Sequence, residues 1–274
     1  INTARSFSLS PQEEIVYLFA LPEKVSKNVI NIESSAVLDS GYKEEDTTVA
    51  NFTSAVYTEK KPTVDGVLSS EEWIGSWIGA DEAKYVKEIP NWGGPEDLSF
   101  SGNLMWDEDN LYFLAIVNDD VHYIYRGDDP SMAWSADSLQ VAFDDRFEIN
   151  GAEKTEFEEL LITARPNGDA VIYRSNSYYG KPNGIMKNCE AAVKRYERYT
   201  VYECRIPWDE LFYDNYEVDP DGKEKNYKFS VIANDRDDAG DGSWIGAGRG
   251  WVEYMSGIGV EKSAELFGSM NLKK

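Results

Sequence analysis

From Asn51 to the C-terminus the chain is divided into short apolar-rich segments by turns rich in Gly and Asp, a spacing that favours strands over helices. Leu98–Trp106 and Leu111–Asn118 are apolar and joined by Asp107-Glu108-Asp109-Asn110, a turn composition. Asp137–Phe143 alternates polar and apolar residues, the period of a strand with one buried face. Glu158–Arg165, Ala170–Ser175, Ala191–Arg195, Tyr199–Ile206, Tyr227–Asn234 and Phe267–Leu272 complete the predicted strands. Helix signals are confined to Ser69–Trp77 and Trp208–Phe212. An aromatic content of 13% adds to the β preference. The pattern predicts an all-β fold, an antiparallel β-sandwich of the jelly-roll kind, over residues 51–274.

Residues 1–50 differ. Glu14–Leu21 and Val29–Glu33 read as strands, and Gly41–Thr47 reads as a linker. So few strands do not fold alone. They are expected to form a β extension of the sandwich, or the end of a preceding domain with its linker. The chain begins at Ile1 without a leader, so a mature or excised segment of a larger, extracellular protein is expected. Cys189 and Cys204 flank the hairpin formed by Ala191–Arg195 and Tyr199–Ile206. They could face each other across it as a disulfide, and a one-residue change of register would part them.

Fifty Asp and Glu against 27 Lys and Arg give a net charge of −23. That field repels phosphate backbones and anionic bilayers, which makes nucleic acid and membrane poor partners. It suits neutral ligands, basic partners or hard cations that take oxygen ligands. No apolar run approaches the roughly 18–20 residues of a membrane span.

Trp134 stands just before the alternating strand, after a loop bearing Gly, Asp and Pro, where an indole can offer a flat face to a ring-shaped ligand. Trp251 follows the small-residue run Gly246-Ala247-Gly248-Arg249-Gly250 and could be platform or packing. Trp73, Trp106 and Trp208 are expected in the core. The pairs Asp119-Asp120, Asp128-Asp129 and Asp144-Asp145, with Asp235, Asp237, Asp238 and Asp241, are either cation ligands or a solvated acidic surface. The single histidine, His122, argues against a multi-histidine metal centre or a histidine relay.

Ordered segments of the chain resemble the family 9 carbohydrate-binding modules over roughly residues 52–273. They are Pro62-Thr63-Val64-Asp65-Gly66 with Trp73, Met105–Phe113, Val117–Asp120, Trp134–Asp145, Glu203-Cys204-Arg205-Ile206-Pro207-Trp208, Ala233-Asn234-Asp235 and Phe267-Gly268. The resemblance implies a calcium-bearing sandwich that holds a sugar between two tryptophans. Trp134 matches the first of these. The segment Val252–Leu266 has no Trp, so Trp251 or Tyr254 would serve as the second. Gln140 falls where some members place a sugar-binding carboxylate, and Leu161 near their arginine. Structural Ca²⁺ is implied, with Asp119, Asp120, Asp144 and Asp145 as candidate ligands.

The expected function is therefore a non-catalytic module that binds mono- or oligosaccharides, or the chain ends of polysaccharides such as xylan or cellulose. It would belong to a larger secreted polysaccharide-degrading or cell-surface protein, beside other modules of the same chain. The alternatives are a structural or adhesive sandwich without a working sugar site, and a polysaccharide hydrolase or lyase.

Overall fold

The computed structural model describes residues 6–8, 10, 29–69, 71–146, 149, 151–212, 226–237 and 249–274. The strands are β1 (Val29–Val37), β2 (Lys43–Tyr57), β3 (Trp77–Ala80), β4 (Val86–Lys87), β5 (Leu98–Trp106) and β6 (Asn110–Asp119). Then follow β7 (Ser138–Asp144), β8 (Glu158–Ala164), β9 (Ala170–Asn176), β10 (Gly184–Ile185), β11 (Glu190–Arg195) and β12 (Tyr199–Pro207). The last three are β13 (Asn226–Arg236), β14 (Arg249–Glu253) and β15 (Gly268–Lys273). The pairing order β10-β9-β8-β7-β13-β15-β2-β5-β6-β12-β11 forms one long sheet that curls until β11 lies against β9 and β8. Its two halves face each other as a β-sandwich.

The period-2 alternation decides which side chains meet between the halves. Leu139, Val141 and Phe143 of β7 enter the main core, as do Leu160 and Ile162 of β8. Phe229, Val231 and Ala233 of β13 meet Phe113 of β6 and Tyr202 of β12 there. The intervening residues point to the other face, and on β7–β9 and β13 that face carries the site described below. On the opposite half, Trp73, Met105, Tyr112, Leu114 and Val201 form a second cluster on the outside of the sheet. The segment before Trp73 is pinned there by Glu203, which is fully buried. Its carboxylate accepts the N–H groups of Asp65 (2.9 Å) and Gly66 (2.7 Å) and the indole N–H of Trp73 (3.2 Å). Gly66 is required at this turn: its φ is +75°, and a Cβ would lie 2.7 Å from that of Lys194. Trp106 and Trp208 are in the core as expected, at 2% and 3% exposure.

Several expectations are corrected. The Gly41–Thr47 segment is not a linker: Leu38–Tyr42 makes a tight turn, and Lys43 already belongs to β2. The β1–β2 hairpin is largely exposed, and β2 then runs without a break into the sandwich, where Ala55 is fully buried. The sheet is not wholly antiparallel, because β2 enters parallel between β15 and β5. Of the predicted helix Ser69–Trp77, residues 71–76 form turns, since Trp73 is drawn down to Glu203, and Trp77 begins β3, whereas Trp208–Leu211 is a short helix. The register sets Ala191 opposite Cys204, so Cys189 falls out of line and both thiols are free. The predicted strand Glu14–Leu21 lies outside the described residues.

Candidate functional site

Asp129 and Pro130 build the rim of the site. Pro130 starts a 3₁₀ turn, Pro130–Ser135, and the Asp129 carboxylate caps it by accepting the Ser131 N–H at 3.0 Å. The Ser138 hydroxyl donates back to the Ala133 carbonyl at 3.0 Å and ties the turn to β7. Trp134 is thereby held half-buried at the edge of a cavity of about 690 Å³ on the outer face of β7, β8, β9 and β13. That volume is within the usual range of small-ligand pockets, roughly 300–1,000 Å³.

The register lines up the floor. Tyr173, Leu161, Gln140 and Ile232 are cross-strand neighbours on successive strands, and all four line the cavity. Gln140 is held at both ends. Its amide donates to Glu159 at 2.6 Å, and its carbonyl accepts from Asn234 at 3.0 Å. The Glu159 carboxylate also takes Lys262 Nζ, at 2.6 and 2.7 Å from its two oxygens. Ser131, Thr155, Ser175, Asn176 and Asn183 add further hydroxyl and amide groups to the wall.

Trp134, Gln140 and Trp251 therefore come together on one cavity. Trp251 is only 6% exposed, packed with Ile232, Ile258 and Phe267, and its ring is closed over by Gly259. Tyr254 is off the cavity: it is buried in the main core, and its hydroxyl donates to the Phe52 carbonyl at 3.2 Å. The two part because Tyr254 lies just beyond β14, where its N–H donates to the Val231 carbonyl at 3.1 Å. Tyr173, Glu159, Arg249 and Lys262 were not anticipated as lining residues. The first two were legible as off-core positions of the β9 and β8 alternation. The other two depend on how β14 and the Ile258–Lys262 loop fold over the sheet.

The four predicted metal ligands do not form one site. Asp144 is engaged bidentately by Arg146 (2.6 Å at the closest), and Asp145 accepts a hydrogen bond from the Tyr179 hydroxyl. They stand at one end of β7. Asp137, at its other end, is roughly 20 Å away by strand rise. Asp119 and Asp120 belong to the Asp137 end, where acidic oxygens of Asp97, Asp120 and Asp237, and of Asp119, Asp235 and Asp237, approach within 4.8 Å of one another. Asp235 is 2% exposed and one of its oxygens has no hydrogen-bond partner. Burial, then the neighbouring carboxylates of Asp237, Asp137, Asp119 and Asp97, push its pKa up to about 9. On one side Arg195 bonds Asp119 at 2.8 Å, and His122 Nδ1 lies 2.8 Å from Asp137. Burial works against a charged His122, yet Asp119 and Asp137 bring its pKa to about 9. His122 is thus a counter-charge within an acidic cluster.

A β-sandwich with an aromatic-rimmed cavity, floored by Tyr173, Leu161, Gln140 and Ile232 and walled by hydroxyl and amide groups, is a small-ligand-binding module. The model of the carbohydrate family 9 binding domain-like family matches residues 64–274, and the chain belongs to that family. Family members are binding modules, and membership makes the chain a carbohydrate-binding module. A family 9 module from Caldicellulosiruptor kristjanssonii in complex with cellotriose is similar in fold, with a TM-score of 0.54 and 18% identity over 81% of this chain and 94% of that one. A family 9 module from the same organism in complex with glucose gives 0.50 and 19% over 81% and 96%. A candidate carbohydrate-binding protein from Bacteroides uniformis gives 0.50 at 11% identity, over 82% of this chain and all of that one. No curated relative matches the chain.

Proposed function

We propose that this module is non-catalytic and binds an oligosaccharide, or the end of a polysaccharide chain, in the Trp134 cavity. The observation that carries the reading is the placement of Trp134, Gln140 and Trp251 on one cavity walled by hydroxyl and amide groups. The C–H face of a pyranose would rest on Trp134, and the polar row would orient its hydroxyls. Cellotriose and glucose in the related structures support cellulose-like ligands, with xylan as a second candidate. Hydrolysis of a glycoside needs two carboxylates flanking the bond. Among the described lining residues Glu159 is the sole carboxylate, and it is tied to Lys262 and Gln140. The module would act from outside the cell, concentrating attached modules on a polysaccharide. The −23 charge supports neither nucleic acid nor membrane as a partner. Affinity-gel retardation by soluble cellulose derivatives and xylans, with a turnover assay on the same polymers, tests this. Retardation without turnover is expected. No retardation by any glycan would favour a structural module, and released sugar would make it an enzyme.

The acidic end of the sandwich is proposed to hold Ca²⁺ through Asp97, Asp119, Asp120, Asp235 and Asp237. The buried oxygen of Asp235 that lacks a partner supports this, because an orphaned carboxylate among like charges suits a hard cation. The ion would brace the loop that carries Trp134, which is already tied across its base where Tyr123 and Asp137 exchange hydrogen bonds. A chelator should lower the melting temperature, and added Ca²⁺ should restore it. Linkage gives about 2.7 kcal/mol at a hundredfold excess over the dissociation constant. Equal rescue by NaCl of the same ionic strength would reduce the effect to screening.

A further inference from the structure

Arg249 occupies an unusual place in the cavity. It is two residues before Trp251 on β14, hence on the same face. Its guanidinium carbon lies 4.4 Å from the ring centre of Trp134 and 5.5 Å from that of Trp251, so the cation lies over both indole rings. Its Nε is buried and unbonded, and no carboxylate among the described residues pairs with it. Glu88 is near enough to favour the charge but outside ion-pair range. Lys262, the other cation of the cavity, is neutralised by Glu159. In a chain of net charge −23, the described lining thus carries one uncompensated positive charge.

From this we infer, building on the proposed sugar-binding role, that the module recognises an acidic saccharide, with Arg249 receiving a uronate carboxylate while Trp134 stacks against the ring. The Nε of Arg249 has no hydrogen-bond partner, and a guanidinium matches a carboxylate in bidentate geometry. Desolvation beside the two indoles would strengthen that pair. The hydroxyl and amide wall would serve the neutral part of the ligand.

The test is calorimetry with ligand pairs that differ only by the carboxylate: cellobiose against cellobiouronic acid, and a xylo-oligosaccharide with and without a glucuronosyl branch. The acidic member of at least one pair should bind tenfold or more tighter. Arg249→Gln should abolish that preference, and Arg249→Lys should retain part of it, with melting curves confirming that both variants fold. If neutral and acidic members bind alike, the inference fails while the sugar-binding reading stands. Tighter binding of the neutral member by Arg249→Gln would identify Arg249 as a plug and overturn the inference. If the wild-type protein binds no member of either pair, the sugar-binding reading and the inference resting on it fail together.

Discussion

Trp106→Ala is expected to lower the melting temperature by about 6–20 °C, the equivalent of roughly 3–5 kcal/mol for a domain of this size. Trp106 is 2% exposed and stands where the two halves of the sheet join. Its ring meets Tyr57 edge-on at 5.0 Å, and its indole N–H donates to the Lys273 carbonyl at 3.0 Å. Truncation would open a cavity in the main core and leave that carbonyl unpaired at the ends of β2, β5 and β15. Such a loss takes a large part of a typical domain stability of about 5–15 kcal/mol. Trp106→Phe, which keeps a ring but not the N–H, should fall between. A Trp106→Ala protein that melts within two or three degrees of wild type would show that the β2–β5 junction does not depend on this side chain.

Trp134→Ala should do the reverse, removing ligand affinity with little effect on folding. The indole is half-buried on a capped turn, with the Arg249 guanidinium carbon 4.4 Å from its ring centre. Stacking contributes about 0.5–1.5 kcal/mol beyond area burial, and about 50 Å² of covered C–H surface adds about 1.3 kcal/mol. A loss of about 2–3 kcal/mol is about 30- to 150-fold in affinity. Starting from micromolar to millimolar binding, that takes most ligands below detection. Unchanged affinity in this variant would mean that the sugar does not touch Trp134.

The fold was legible where alternation and turn chemistry agreed. Asp137–Phe143 foretold β7 to within a residue, and its period alone assigned Val141 to the core and Gln140 to the opposite face. The β1–β2 hairpin was misread at Lys43-Glu44-Glu45-Asp46 because both faces of it are exposed, so no apolar period marks it as strand. That Trp134 and Gln140 line the same cavity was legible, because they are close in sequence and flank the β7 entrance. Arg249 was not: its position over the Trp134 ring depends on the β13–β14 pairing and on a turn more than a hundred residues upstream. The same non-locality gathers Asp97, Asp119, Asp235 and Asp237 at one end of the sandwich and leaves Asp144 and Asp145 at the other, held by Arg146 and Tyr179. Adjacent acidic pairs in the sequence carried no sign of which would be neutralised locally.

A sugar in the cavity formed by Trp134, Gln140 and Trp251 is what the proposed function requires. A crystal structure of the module with the oligosaccharide that binds it most tightly tests this directly. A pyranose ring is expected to stack on Trp134, with hydroxyls in hydrogen-bond reach of Gln140 and Glu159. A sugar bound elsewhere, for example on the exposed Trp77 of β3, with the Trp134 cavity empty, would contradict it.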